Sequence, residues 1–517
     1  MISPVQSGTL SGIEARGVQV EVSPIRGLPG FDVVGLPEAA VRESRVRVQA
    51  ALMNAGYALP EQRFVVNLAP ADLRKTGSAF DLAIAIALLA QCGMCAPNKL
   101  AETLIIGELS LDGHLRPVRG LLPQLRGAQA RGLAAAIVPD GDSAWSELVA
   151  GMEVRCAAHL REVVAFLGAE GQLALPPRLG APTDDDGADL CDVRGQHGAK
   201  RALEIAAAGN HNLLMIGPPG TGKTMLARRL PGILPLPERH EALEIATIAS
   251  AAGFISPSAR RQRRPFRAPH HSCSDAALVG GGDPIRPGEV TLAHRGVLFL
   301  DELPEFRRNA LESLRPVMEA GLAEVVRVRD RAVMPANPLI VAAMNPCPCG
   351  YHGHKKRICR CGPDRIDSYR ARISGPLLDR FDLHVALPAI DVEQLECREP
   401  LEDSVQVRAR VIAARDYAGL RVASERKKHG ADRRTPQQRL ADALEPEARS
   451  LLHRAMQKLQ LSLRAYDKVL RVSRTLADLE QSEIVRPDHV AEAVQYRLLD
   501  RPEPPARARV PAVATSR

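Results

Sequence analysis

The chain reads as an α/β protein: a P-loop nucleotide-binding core, a helical domain behind it and an α+β domain in front. Three observations predict this. Gly217–Thr224 spells GPPGTGKT between the apolar run LLMI and the helical stretch MLARRL. A second apolar run, Val297–Leu300, ends in the acids Asp301 and Glu302, and a third, Leu339–Ala343, leads to Asn345. Short continuous apolar runs of this kind are expected of strands buried on both faces of a parallel sheet.

Composition sets the frame. With 517 residues, at about 100 to 200 residues per domain, the chain has room for about three to five folding units. Apolar residues at 45% and charged residues at 25% exclude wholesale disorder, a collagen-like repeat and a small disulfide scaffold. Aromatics at 3%, with Trp145 the single tryptophan, argue against an aromatic cage or an RNA-stacking module. Any nucleic-acid contact must then lean on phosphates, and a net charge of +8 favours a polyanionic partner. Met1–Leu10 has no basic segment followed by an apolar core, so the expected compartment is the cytoplasm and the ten cysteines are expected as thiols. The most apolar run, Leu82–Ala96, is too short for a bilayer, and it carries Gln91 inside and Asp81 at its edge. A buried core helix is expected there, and no membrane partner.

In chain order, residues 1–174 alternate strands (Val18–Val22, Phe64–Leu68) with helices (Leu36–Ala55, Asp81–Gln91), as one α+β domain. Residues 175–190, with LPPRLGAPTDDDGAD, have the composition of an exposed linker. Residues 191–390 carry the strand, glycine loop, helix pattern of the nucleotide-binding core. Residues 391–500 are helical in spacing, notably Leu461–Leu479 and Pro487–Tyr496, with Pro487 suited to a first turn. Residues 501–517, rich in Pro, Ala and Arg, are expected to be a disordered tail.

The glycine loop is where chemistry first becomes specific. Gly217, Pro218, Pro219, Gly220, Thr221 and Gly222 let backbone N–H groups curl around phosphates, and the following helix adds its positive end. Lys223 is placed for the β and γ phosphates and Thr224 for Mg2+. Asp301 is expected on Mg2+, and Glu302 as the general base that polarises the attacking water. Asn345 is expected beside it, orienting water or the γ-phosphate. Arg380, in SGPLLDRFD, is suited to face a neighbouring subunit, with Arg372 as competitor. Arg464 opens a helix from which it is expected to reach back over the nucleotide, or else to stand as a surface arginine.

A separate cluster lies in CPCGYHGHKKRICRC. Cys347, Cys349, Cys359 and Cys361 form two Cys-x-Cys pairs joined by a loop with Gly350 and Gly353, a set that closes a tetrahedral thiolate site, with zinc the default ion in a reducing compartment. Lys355, Lys356, Arg357 and Arg360 offset the negative charge of four thiolates on Zn2+, and His352 and His354 are alternative ligands. Four protein ligands leave no open position, so the zinc is structural in this reading and free thiols are its rival.

Together GPPGTGKT, VLFLDE, Asn345, LLDRFD and Arg464 resemble an AAA+ ATPase with a helical lid. More specifically, DVRGQ at Asp192–Gln196, FRAPHHSCSDAALVGGG at Phe266–Gly282, PGEVTLAHRGVLFLDELPEF at Pro287–Phe306 and AAMNPCPCG at Ala342–Gly350 resemble the magnesium-chelatase-like YifB/ComM family over essentially the whole chain. The resemblance implies a hexameric ring ATPase using ATP and Mg2+. For ComM-type members it implies a DNA helicase that drives branch migration when incoming DNA is integrated in natural transformation. By that likeness Asn345 is sensor 1, Arg380 the arginine finger and Arg464 sensor 2. The likeness also puts a hairpin before sensor 1, pointing into the ring pore. Val325–Val333 fits it, with two or three of Arg327, Arg329 and Arg331 expected on one strand face along a DNA backbone, a solvated strand edge protected by charge being the rival reading. Arg260–Arg264 (RRQRR) is a second basic candidate, with a solvated loop as the rival reading.

The N-terminal domain resembles the Lon-protease/S5-like domain in LRKTGSAFDLAIAIALL and GELSLDGHLRPVRGLLPQ, but Phe80 and Leu122 stand where that likeness puts the serine and lysine of proteolysis. Neither side chain is a nucleophile or a base. Lys75 and Ser78 are not expected to replace them, and the domain is read as non-proteolytic. The rival function is a protein-remodelling ATPase of the magnesium chelatase subunit type, which in this reading has no ordinary need of a Lon-like domain.

Overall fold

The computed structural model describes residues 4–95, 100–177, 188–254, 263–327, 330–354, 356–389, 402–428, 435–497 and 499. The short apolar runs form one five-stranded sheet, ordered Phe266–Arg267, Val297–Leu300, Leu339–Met344, Leu213–Ile216, Leu383–Ala386. Every neighbouring pair is parallel, with Leu213 level with Val341 on one side and Leu383 on the other. A parallel sheet must be covered on both faces. Leu214, Leu298, Leu300, Ile340 and Ala342 meet Leu311 and Leu314 of helix Arg308–Ala320 on one face. Leu213, Met215, Phe299, Val341 and Ala343 meet helix His197–Gly209 and helix Lys223–Ile233 on the other.

The C-terminal helices extend that second layer. Val407 and Val411 of Ser404–Lys428, and Leu470 and Leu476 of Leu463–Leu479, belong to the same buried cluster as Leu226 and Leu230 behind the glycine loop. Full burial of such a side chain is worth about 1.5–3 kcal/mol, so the helices are bolted to the core by several of them. Two boundaries differ from the spacing. Gln460 turns left-handed at φ 52° and ends helix Pro446–Leu459, and Ser462 then accepts the N–H of Ala465 as a cap, so the next helix starts at Leu463. In the N-terminal domain Leu36 sits at φ 53° and Pro37 bridges to Lys75, which delays that helix to Ala39–Asn54.

The N-terminal sheet has seven strands, in the order Gly30–Val34, Arg63–Ala69, Glu14–Ile25, Val5–Ser11, Thr103–Ile105, Ala135–Pro139, Glu153–Ala157. Phe64, Val66 and Leu68 alternate inward, as period two requires. Helix Asp81–Gln91 is apolar all round and buried from Asp81 through Ala90, the expected core helix. Buried Asp81 is held by Arg47, whose Nε donates at 2.8 Å. No helix among the described residues is long and apolar enough to cross a membrane.

The N-terminal sheet does not stand apart from the core. Helix Leu121–Ala130 packs on the core helix Arg239–Ala252, with Ala246 inside the N-terminal cluster. Leu122 N–H donates to Ser250 Oγ at 3.2 Å, Gly120 N–H to the Ser250 carbonyl at 2.9 Å, and Arg119 to the Ala251 carbonyl at 2.5 Å. The tail 501–517 and residues 178–187 of the linker lie outside the described residues.

Candidate nucleotide site and its surroundings

Strand Leu213–Ile216 runs into the glycine loop at the carboxyl edge of the sheet, and helix Lys223–Ile233 leaves it. Gly220 and Gly222 sit at φ 80° and 85°, a backbone that side chains disfavour and a loop of inward N–H groups requires. The Lys223 amine donates to the carbonyls of Gly217 (2.6 Å) and Pro218 (2.9 Å) and to Asn345 Oδ1 (3.2 Å). Burial pushes its pKa below the ordinary lysine range, against the pull of Asp301 and Glu302. Thr224 Oγ1 donates to Asp301 Oδ2 at 2.7 Å. A hydroxyl and a carboxylate that close together, below a glycine loop and beside an amine, are the oxygen donors a Mg2+–nucleotide takes, so the residues present fit that ligand.

Two participants carried no sequence signal of their own. Glu302 sits left-handed at φ 53°, and its Oε2 lies 3.2 Å from Nδ1 of His271, in the FRAPHHSCSDAALVGGG stretch. The His270 and His271 rings lie 4.1 Å apart, and Phe306 meets His271 edge-on at 6.5 Å. Gln196, left-handed at φ 53° in DVRGQ, donates to the Thr221 carbonyl (3.2 Å) and the Pro388 carbonyl (2.9 Å), tying the loop to the end of the last core strand.

Arg380 and Arg464 sit elsewhere. Arg380 precedes strand Leu383–Ala386, whose start is level with that of Leu213–Ile216, so it stands at the amino edge of the sheet. Strands of four to six residues at about 3.3 Å each put about 13 to 20 Å between the two edges. Arg380 pairs with Glu319, and burial, with Arg315 and Arg464 near, lowers its pKa from the usual arginine value. Arg464 donates to Asp379 at 3.2 Å, and both arginines line a cleft of about 380 Å³ with Asp382 and Lys468. Arg464, expected to reach back over the nucleotide, thus stands at the edge of the sheet opposite its own chain's glycine loop. Helix Leu463–Leu479 begins beside Asp379, at the amino edge of the sheet. Arg372 keeps to the carboxyl edge, bonded to Glu305 at 2.8 Å just beyond Glu302.

The basic hairpin is Leu322–Val326 and Arg331–Pro335, with Val326 opposite Arg331. Arg327 follows the first strand and Arg331 opens the second, so they flank a turn and do not alternate along one strand; Arg329 lies outside the described residues. Arg331 also pairs with Glu324 at 2.6 Å. Val325, Ala332 and Met334 of the inner face close on Ile285 and on Ile13 of the N-terminal domain, while buried Ala323 joins the cluster of helix Arg308–Ala320. Ser11 Oγ donates to Asp330 at 3.3 Å. In the RRQRR stretch Arg260, Arg261 and Gln262 lie outside the described residues, and Arg264 is committed to Glu241 (2.7 Å) and to two backbone carbonyls.

The four cysteine sulfurs lie within 4.8 Å of one another. Cys347–Cys349, Cys349–Cys359 and Cys347–Cys359 are 3.3, 3.5 and 3.7 Å apart. Tetrahedral zinc with bonds of about 2.3 Å sets its sulfurs about 3.8 Å apart, so the set fits the ion. Backbone N–H groups of His352 (3.3 Å) and Cys361 (3.4 Å) point at the sulfurs of Cys347 and Cys359. The histidines do not join: His354 Nδ1 accepts from the N–H groups of Lys356 and Arg357 at 3.0 Å each, and His352 contributes only its backbone.

In the N-terminal domain Phe80 and Leu122 are fully buried core residues. Lys75 Nζ is taken by the Pro70 carbonyl and Ser78 Oγ by Glu108, so lysine and serine do not serve each other.

Three family models match separate stretches of the chain. A family model described as "Magnesium chelatase, subunit ChlI" matches residues 189–395, "Subunit ChlI of Mg-chelatase" matches 18–142, and "Magnesium chelatase, subunit ChlI C-terminal" matches 401–497. The chain is 44% identical over 502 residues to the uncharacterised protein YifB of Escherichia coli, covering 97% of this chain and 98% of that one. It is 43% identical over 492 residues to YifB of Salmonella typhimurium (95% and 96%). To the competence protein ComM of Haemophilus influenzae it is 41% identical over 503 residues (96% and 97%). Near-complete coverage at this identity, with the three chelatase models matched along the chain, makes it a member of the YifB/ComM family of magnesium-chelatase-like AAA+ ATPases.

Proposed function

We propose that this chain is an ATP-hydrolysing ring motor acting on DNA, a ComM-like helicase that promotes branch migration as DNA is integrated in transformation or recombination. ATP and Mg2+ are its cofactors, with a structural Zn2+ on Cys347, Cys349, Cys359 and Cys361. A hexamer in the cytoplasm is the working form, with residues 1–174, 191–390 and 391–500 as its domains.

One observation carries the ring reading. Lys223, Thr224, Asp301, Glu302 and Asn345 gather at the carboxyl edge of the sheet, while Arg380 and Arg464 wait at the amino edge. Stacking one chain's amino edge on its neighbour's carboxyl edge completes the set. Glycine-loop N–H groups and Lys223 hold the phosphates, and Thr224 and Asp301 hold the Mg2+, which screens phosphate charge. Glu302 takes a proton from the attacking water as the oxygen bonds to the γ-phosphorus and the bond to ADP breaks. The neighbour's Arg380 and Arg464 offset charge on the transferred group.

The DNA part leans on the relative named a competence protein and on the basic hairpin. The rival is protein remodelling of the chelatase type. All three matching models carry the chelatase description, the N-terminal one included, so the N-terminal domain does not separate the two readings. Steady-state ATPase rates at one fixed salt with no DNA, single strands, duplex and a four-way junction do separate them. Stimulation of several-fold by DNA, absent in Glu302→Gln, is expected. Hydrolysis indifferent to every DNA moves the assignment to protein remodelling.

A further inference from the structure

The cysteine knuckle and the nucleotide loop are in contact. Strand Leu339–Met344 delivers Asn345 to Lys223, and two residues later the chain enters the knuckle at Cys347. The knuckle then folds back so that Gly350, at φ 81°, lies against Pro219 in the middle of GPPGTGKT. A methyl group built on Gly350 would stand 2.5 Å from Pro219 Cδ and 2.8 Å from Cγ. Gln196 holds the same loop at Thr221, so the knuckle and Gln196 grip the loop at separate points.

Apart from exposed polar contacts such as that of Arg357 with Tyr351, what gathers the knuckle is the four sulfurs. From Cys347 to Cys361 there is no helix or strand among the described residues, Ile358 is 91% exposed, and the one buried apolar side chain is Cys347. So little apolar burial does not by itself offset the conformational entropy of a segment this long. A metal cross-link supplies what packing does not.

We propose that this knuckle is a metal-dependent brace of the nucleotide loop, so that zinc on the four cysteines and nucleotide on the glycine loop each strengthen the binding of the other. The inference rests on the tetrathiolate zinc reading above. Zinc fixes Gly350 against Pro219 and so favours the loop shape that takes phosphates; without zinc, Gly350 leaves Pro219, the loop keeps only its hold at Gln196, and the nucleotide must order the rest. Coupling between two binding sites is reciprocal, so ADP must raise zinc affinity by the factor by which zinc raises ADP affinity.

The test uses the full-length protein. Zinc content of the purified chain is measured first, and zinc affinity is then read by competition with a chelator at fixed pH, with and without saturating Mg2+–ADP. Bound zinc near one per chain, held at least fivefold tighter with ADP, is the expected result. In parallel, Gly350→Ala and Gly353→Ala are compared for ADP affinity. Both glycines have positive φ, at 81° and 74°, but a methyl group at Gly353 meets nothing within 4 Å. Gly350→Ala is expected to weaken ADP at least fivefold, and Gly353→Ala less than twofold. Equal zinc affinity with and without ADP overturns the coupling whatever the variants do. A protein that neither contains nor takes up zinc overturns the zinc reading itself.

Discussion

His271 Nδ1 stands 3.2 Å from Glu302 Oε2, so the carboxylate proposed as general base is held by an imidazole from a different segment of the core. A base whose direction is set by a third group works as a unit with it. His271→Ala is expected to lower kcat about tenfold while changing ADP affinity less than twofold, since the phosphate ligands are untouched. Steady-state turnover beside equilibrium ADP binding checks this. A loss of affinity with kcat intact would mean that His271 serves nucleotide binding instead.

Glu302→Gln and Lys223→Ala are expected to fail differently. The first keeps nucleotide and loses turnover by about 10²- to 10⁴-fold, the range of general base catalysis. The second loses the amine on which the phosphate cradle is built and binds nucleotide poorly. Fluorescent-nucleotide titration of both variants distinguishes them, and tight binding by Lys223→Ala would contradict the assignment.

Arg464 bonds Asp379 beside Arg380, far from its own glycine loop, and this makes subunit mixing informative. Arg464→Ala and Glu302→Gln are each expected to be inactive alone. Mixed, they regain part of the activity, because some interfaces pair an intact Glu302 with a neighbour's intact Arg464. Arg380→Ala mixed with Glu302→Gln behaves alike. No recovery for Arg464→Ala would return that arginine to its own chain's site.

His384, in the last core strand, is buried against Arg497, and burial first and that guanidinium second hold its imidazole at about 3. Asp382 and Lys468 also act on it. In the unfolded chain its pKa is about 6.5, so between those values the unfolded state binds the extra proton. The contribution is complete above about pH 6.5 and is lost as pH falls toward 3, at up to ~1.4 kcal/mol per pH unit. Urea unfolding of the core at pH 5 and 7 should show a smaller pH difference for His384→Leu than for the native protein, and identical differences would refute it.

The hairpin's arginines give the last prediction. If Arg327 and Arg331 each meet a phosphate, each alanine variant lowers the slope of log affinity against log salt by about 0.7 to 0.9 on DNA. Binding titrations across a salt series measure this, and unchanged slopes would exclude the hairpin as the backbone contact.

Much of this site was legible in the sequence because its chemistry is local. GPPGTGKT and VLFLDE announce themselves because a glycine loop needs its neighbours in fixed order and a buried strand can only end at a sheet edge. The four cysteines were legible for the same reason, as a cluster of thiols close in the chain. His271 was not, since a histidine 31 positions before Glu302 reaches it only through the fold, and neither was the contact of Gly350 with Pro219. The hairpin was half legible: its strands follow from alternation, but the turn placed Arg327 and Arg331 differently from a single alternating face.

By itself the amino-acid sequence determined the α/β nucleotide-binding class and singled out the proposed phosphate and metal donors and the thiol cluster, because each depends on residue type at short separation. The tertiary structure alone decided which edge each distant residue occupies. Lys223 and Arg464 are 241 positions apart, and nothing between them states that one lies at the carboxyl ends of the strands and the other at the amino ends. That separation comes from the parallel register of Leu213–Ile216 and Leu383–Ala386 and from the Ser462 cap that starts the arginine's helix beside Asp379. Strand pairing and helix docking bury apolar surface over long sequence distances, and only their sum fixes where a charged side chain at the rim ends up.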